Sequence, residues 1–344
     1  MAQMSLISRM TGAFLLSLAA AFTPAKAEPL AKTLFGAQKL PAATAPASYG
    51  FYSKGCFTGG VAIATDGPSW QAMRLSRNRR WGHPDLIAVV AKLSEKAKAD
   101  GWNGLLVGDI SQPRGGPMLT GHASHQIGLD ADIWFTPMPN RRLSAAERES
   151  LSATSMLKGD SLLVDDSKWT KAHEAVLRNA AKFPQVERIL VHPGIKKKLC
   201  DTVTGDRSWL YKVRPFWGHH YHFHIRIGCP PGSTGCKGQA EPSRGDGCDK
   251  SLAWWFTDEP WRKPKPGTKQ KPKARDVMTM AALPAACRAV LNAPSPVSEA
   301  AVTVTGPGAV VAARPQEAPP VPASAFAPTP KTADVPLPTP RPQN

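Results

Sequence analysis

The chain is predicted to fold as an α+β domain of mixed helices and strands with long loops, stapled by cysteine bridges. Three observations predict this. Short alternating segments mark strands, 3.6-residue apolar stripes mark helices, and the two lack the regular alternation of a doubly wound parallel sheet.

Residues 1–27 read as an export signal. Arg9 precedes an apolar run over residues 12–22, and Ala25, Lys26 and Ala27 form a small-x-small cleavage site. That run is about half of the ~20 residues a spanning helix needs, and no later stretch can substitute, so no membrane span is expected. A helix is predicted over Pro84–Ala99. There Leu86, Ile87, Val89, Val90, Leu93 and Ala97 form one stripe, with Pro at the start and Gly101 past the end. A strand at Leu105–Val107 follows. Ser144 with Glu147 predicts a capping box for a second helix, and Ser167 is expected to open a third carrying Trp169, Val176 and Leu177. Strands are predicted over residues 128–135, 186–191 and 221–227. Together these elements place one globular domain over residues 28–290. Residues 291–344 are crowded with Pro and Ala, have Phe326 as their one aromatic residue, and read as a disordered tail. A basic, Pro-rich stretch over residues 263–275 reads as an exposed loop.

The 344-residue chain carries a formal charge of +17, which falls to about +15 when Arg9 and Lys26 leave with the signal. For an exported protein, anionic envelope polymers and acidic peptides are the expected source of attraction, and nucleic acid is not an expected partner. Six cysteines (Cys56, Cys200, Cys229, Cys236, Cys248, Cys287) fit three disulfides in an oxidising compartment, with 15 pairings open to sequence alone. None forms a Cys-x-x-Cys pair, which argues against a structural Cys-rich zinc site.

Six of the nine histidines fall in two clusters, His122 with His125, and His219, His220, His222 and His224. Seven residues after His125 comes Asp132, on an alternating strand that puts Asp130, Asp132 and Trp134 on one face. In the second cluster His222, His224 and Arg226 share a face opposite Tyr221, Phe223, Ile225 and Ile227. A catalytic zinc uses three protein ligands drawn from neutral His and a carboxylate, with the fourth position left to water. His125, Asp132 and His224 supply that set, and His222, two strand residues from His224, is placed to act as base. His83, His173 and His192 gain no such support and are read as structural. The segment 109–116 either lines the cleft or serves as a Gly-Pro turn.

The segments 109–116 and 121–134, with His222-Phe223-His224, resemble those of the penicillin-insensitive murein endopeptidases, within the wider lysostaphin and D-Ala-D-Ala metallopeptidase group. The similarity runs over about residues 35–287. It implies zinc on His125, Asp132 and His224, His222 as base with His219 beside it near the oxyanion, and hydrolysis of D-alanyl to meso-diaminopimelyl cross-links of peptidoglycan in the periplasm. It also implies a small antiparallel sheet carrying the site, and the pairs Cys56–Cys287, Cys200–Cys248 and Cys229–Cys236. A second metal position described in the family would use His122 and Asp160 here, but Leu163 stands where a further His is expected. Two rivals remain. A serine peptidase of the penicillin-binding type finds an S-x-x-K match at Ser155 to Lys158 but no K-[ST]-G. A non-catalytic zinc- or wall-binding module is the other, and the intact His222 argues against it.

Overall fold

The computed structural model describes residues 28–308. The expected export signal lies outside them, as does the end of the expected tail. The chain opens with α1 (Ala31–Gly36), a hairpin of β1 (Ala47–Phe51) and β2 (Lys54–Thr58), then β3 (Val61–Ile63), β4 (Trp70–Ala72) and β5 (Trp81–Gly82). After these come α2 (Pro84–Ala99), β6 (Leu105–Val107), β7 (Asp130–Pro137), α3 (Ala145–Ser150), α4 (Lys171–Lys182) and β8 (Val186–Val191). The order closes with α5 (Pro193–Thr202), β9 (Val213–Pro215), β10 (His222–Ile227), α6 (Lys250–Ala253), α7 (Ala286–Asn292) and β11 (Thr303–Val304).

The α+β class holds, but the sheet is not small and antiparallel. It has six strands in the order β4-β6-β7-β10-β8-β9, antiparallel across the four central strands. At its edges β4 lies parallel to β6 and β9 parallel to β8. Those edge strands are three residues long, too short for alternation to register in the sequence. One face of the sheet buries Ala131, Ile133 and Phe135 of β7 and Phe223, Ile225 and Ile227 of β10 against Leu86, Ile87, Val90 and Leu93 of α2 and Val176 and Leu177 of α4. Burial of each such aliphatic or aromatic side chain contributes about 1.5–3 kcal/mol, so this face fixes the strand register. The opposite face of β7 and β10 is thereby committed to Asp130, Asp132, His222, His224 and Arg226.

Local chemistry explains the helix boundaries. Ser144 and Glu147 form the expected capping box at α3. The third helix starts later than predicted: Ser167 is held in a turn, its N–H and hydroxyl both donating to Asp165 Oδ1, and Trp169 precedes the helix. The cap of α4 is Thr170, whose N–H donates to His173 Nδ1 at 3.1 Å. His83 and His192 precede the prolines that open α2 and α5, and each imidazole accepts the N–H two residues on. The three histidines read as structural are therefore helix-terminal acceptors.

The bridges are Cys56–Cys287, Cys200–Cys248 and Cys229–Cys236, as the resemblance implies. Cys56–Cys287 ties β2 to α7 over a small core containing Phe35, Met280 and Val290. The expected tail boundary at residue 291 is too early. Thr303 and Val304 form β11, parallel to β3, with Ala64 N–H donating to Val304 O at 2.9 Å, and Glu299 pairs with Arg80. The buried Val304 side chain supplies apolar contact that the surrounding Pro and Ala composition concealed. The basic stretch over residues 263–274 is exposed, as expected, and Arg275 at its end donates to the carbonyl of Gly121.

His192 gives a test of this frame. Burial, reinforced by neighbouring His220, pushes its pKa down to about 4 from 6.5. A depressed histidine stabilises the fold above the unfolded value, and that contribution is lost as pH falls from about 6.5 toward 4. Denaturant melts at pH 7 and pH 5 should show His192→Asn, a cap that does not titrate, losing less stability on acidification than the parent. The expected difference is on the order of 1 kcal/mol after solvent screening; equal losses would remove His192 from the acid response.

Candidate metal centre

The antiparallel register of β7 and β10 sets His224 directly opposite Asp132, His222 opposite Trp134 and Arg226 opposite Asp130. Facing pairs on one side of such a ladder have Cβ atoms about 4.5–5.5 Å apart, so imidazole and carboxylate meet without any loop to guide them. The third approach comes from the loop over residues 121–128. His125 lies there in the left-handed region, at φ 66°, a conformation costing a non-glycine residue about 1 kcal/mol or more. Its N–H donates to Asp130 Oδ2 at 2.9 Å, and its carbonyl accepts from Ser111. Those bonds hold the strained residue and aim its ring at Asp132.

Four imidazoles surround the Asp132 carboxylate. At Oδ1, His125 Nε2 stands 3.4 Å away and His224 Nδ1 3.2 Å. At Oδ2, His122 Nδ1 and His222 Nε2 each stand at 3.5 Å. His125 is fully buried, and its Nε2 lacks any hydrogen bond, as does Asp132 Oδ1. Two buried polar atoms without partners cost about 1–3 kcal/mol each unless something else satisfies them. Ligands about 2.0–2.1 Å from one tetrahedral ion sit ~3.3 Å from each other, the spacing found around Oδ1. The residues present thus fit a divalent cation in donor type, spacing and missing partners. Donor atoms of His122, His125 and Asp132 also lie within 4.8 Å of one another.

Outer contacts fix which nitrogen each ring presents. His125 Nδ1 donates to the Ile110 carbonyl, leaving Nε2 with its lone pair toward Asp132. His224 Nε2 bonds Asp130 Oδ1 at 2.8 Å, leaving Nδ1 toward the cluster. Asp130 is buried and anchored by Arg226, Nε to Oδ1 at 2.7 Å. Histidine ligands of metals are held in this way by a carboxylate or carbonyl behind them. Asp130 and Ile110 were not singled out in the sequence, although alternation had placed Asp130 on the face of Asp132.

Charge follows the same pattern. Burial would raise Asp132, but His222, His125 and His122 outweigh it and hold the carboxyl well below its ordinary range. Burial works against charge on His224 too, yet Asp130 and Asp132 lift it to about 9. His222 goes the other way: burial, partly offset by Asp132, pushes it down to about 4, so the ring is neutral at pH 7. His219, also at positive φ, is pushed by burial to about 3, and its Nδ1 donates to Trp217 O at 2.7 Å. Its ring lies 4.8 Å from that of His222.

Other sequence-derived candidates fall elsewhere. His122 Nε2 bonds Asp109 Oδ2 at 3.0 Å. Asp160 is exposed and stands outside the group that holds His122. Within the segment 109–116, Asp109 lines the cleft, while Gly115 N–H donates to Gln112 O at 3.0 Å in a turn through Pro113, so both readings of that segment hold in part. Ser155 Oγ pairs with His220 Nδ1 at 2.8 Å, and Lys158 is exposed. The cleft over the cluster encloses about 300 Å³ and is walled by Arg74, Arg77, Asp109, Trp134, Tyr221 and His222.

Imidazoles converging with a carboxylate beneath an open cleft are the donor arrangement of metal-dependent hydrolases. The family model for penicillin-insensitive murein endopeptidase matches residues 48–292, and the chain belongs to that metallopeptidase family. A penicillin-insensitive murein endopeptidase of Haemophilus influenzae is 43% identical over 249 residues, 72% of this chain and 82% of the relative. Two of Klebsiella pneumoniae are 39% and 38% identical, over 71% and 78% of this chain and 86% and 94% of their own lengths.

The anchor behind the cluster can be tested directly. Asp130→Asn should weaken zinc binding by roughly 10–100-fold in competition with a chromophoric chelator. Unchanged affinity would mean that the orientation of His224 and His125 does not depend on that carboxylate.

Proposed function

We propose that this chain is an exported zinc endopeptidase of the bacterial envelope that hydrolyses D-alanyl to meso-diaminopimelyl cross-links of peptidoglycan and is insensitive to penicillin. One observation carries the reading: His125 Nε2 and His224 Nδ1 stand 3.4 and 3.2 Å from Asp132 Oδ1, and both His125 Nε2 and Asp132 Oδ1 are buried and unbonded. Family membership supplies the substrate class.

His125, Asp132 and His224 would hold the ion. When bound, zinc supplies Lewis-acid polarisation of the scissile carbonyl and makes water nucleophilic near neutral pH. His222, neutral and facing the same carboxylate, accepts the proton of the attacking water and delivers it to the leaving amine, so no acyl-enzyme forms. His219 serves differently from an oxyanion donor. With its Nδ1–H donated to the Trp217 carbonyl, its Nε2 carries a lone pair, which suits it to accept a hydrogen bond beside His222. His122 braces Asp132 from the Asp109 side, and a second ion at His122 and Asp160 forms no part of the reading. The chain would act in the periplasm, where the predicted signal would deliver it.

A cross-linked dimeric muropeptide, followed by chromatography, tests this. The zinc-loaded protein should convert dimer to monomer, a chelator should stop it, and a β-lactam should leave it unchanged. A retained, uncut dimer would favour a wall-binding module, and inhibition by the β-lactam a serine enzyme. His222→Ala should keep its zinc and lose rate by about 10²–10⁴-fold, whereas His125→Ala should lose both. Sacculus digestion by His222→Ala at the parental rate would remove the base assignment.

A further inference from the structure

One wall of the cleft has no role in the chemistry above and carries an excess of positive charge. Arg77 and Arg79 both pair with Asp109 Oδ2, at 3.1 and 2.9 Å, and His122 bonds the same oxygen. One carboxylate cannot neutralise two guanidiniums. Arg79 is enclosed and also donates to Thr120, while the Arg77 side chain is 45% exposed and lines the cleft with His222. Arg74, on the same wall, directs its nitrogens at the carbonyls of Arg148, Glu149 and Leu151. Arg77 is thus the arginine of this wall turned toward a ligand.

It is also held rigidly. Its 3₁₀ turn, Leu75–Arg77, is flanked by Arg74 and Asn78, both in the left-handed region. Ser76 N–H and hydroxyl donate to Glu149 at 2.8 Å each, and Asn78 accepts from Trp81 Nε1 at 2.7 Å. A guanidinium fixed before binding loses little freedom when it clamps an anion.

We infer that Arg77 is a specificity-determining residue that binds a substrate carboxylate next to the scissile amide. The inference rests on the murein endopeptidase reading and names what that site recognises. In a D-alanyl to meso-diaminopimelyl link, the carbon bearing the leaving amine also bears a carboxylate. A planar fork pairs with that group in two parallel hydrogen bonds and orients the amine toward His222. Amidation of the carboxylate removes both charge and fit.

The test compares cross-linked dimers with this carboxylate free, with it amidated, and with only the terminal D-alanine carboxylate amidated. The zinc-loaded parent should prefer the free acid to the diaminopimelate amide by roughly tenfold or more in kcat/KM, the scale of one charge-assisted pair. Terminal amidation should matter little. Arg77→Gln should bring the first ratio near one, chiefly through KM on the free acid, and Arg77→Lys should recover part of it. Each ratio is internal to one protein, so altered folding or zinc content cancels. A parent without preference, a preference that follows the terminal carboxylate, or an Arg77→Gln ratio equal to the parent's would overturn the assignment. Failure of the parent to cut any of the three dimers would instead overturn the endopeptidase reading beneath it.

Discussion

The Asp132 carboxylate, buried among four imidazoles with one oxygen left unbonded, is the constraint on which the rest of this molecule depends. A carboxylate in such a place is expensive to desolvate and persists only where positive charge or a cation faces it. The sheet provides the place. β10 lies between β7 and β8, its apolar face is packed under α2 and α4, and its polar residues therefore point at a fixed partner strand. Asp130 and Arg226 form the floor beneath, an ion pair in the interior that orients His224 and tethers His125. Stability and chemistry share these residues, so the site is rigid because the core is.

The central features were legible in the sequence because both obey a short period. Alternation alone put Asp132 and His224 on polar strand faces, and antiparallel pairing then set them opposite each other. The start of α2 and the capping box of α3 were legible for the same reason, since each is a local pattern with one physical cause. What escaped was long-range or short in extent. Edge strands of three residues leave no period, and the parallel partners β4 and β9 widened from four strands to six a sheet expected to be small. Asp165 captured Ser167 in a turn, a competition between two adjacent acceptor sites that composition does not decide. The bonds from His125 to Ile110 and from His224 to Asp130 join residues 15 and 94 positions apart, so only the fold reveals them.

The nine histidines show how one side chain divides its roles by backbone context. Three of them, His83, His173 and His192, accept N–H groups at helix starts, where a neutral ring is required and burial supplies it. His219 and His222 are also kept neutral by burial, yet they border a cleft and retain nitrogen lone pairs. Burial opposes charge on His122 and His224, yet two carboxylates raise each of them, Asp132 with Asp109 at His122 and Asp130 with Asp132 at His224, which reaches about 9. A divalent ion at the cluster would satisfy that field and release the proton.

X-ray absorption at the zinc edge of the loaded protein probes this centre most directly. The account predicts one ion per chain with a first shell of nitrogen and oxygen only, near 2.0–2.1 Å, including two imidazoles. A shell containing sulfur, six oxygens without imidazole, or a chain that takes up no zinc would contradict it.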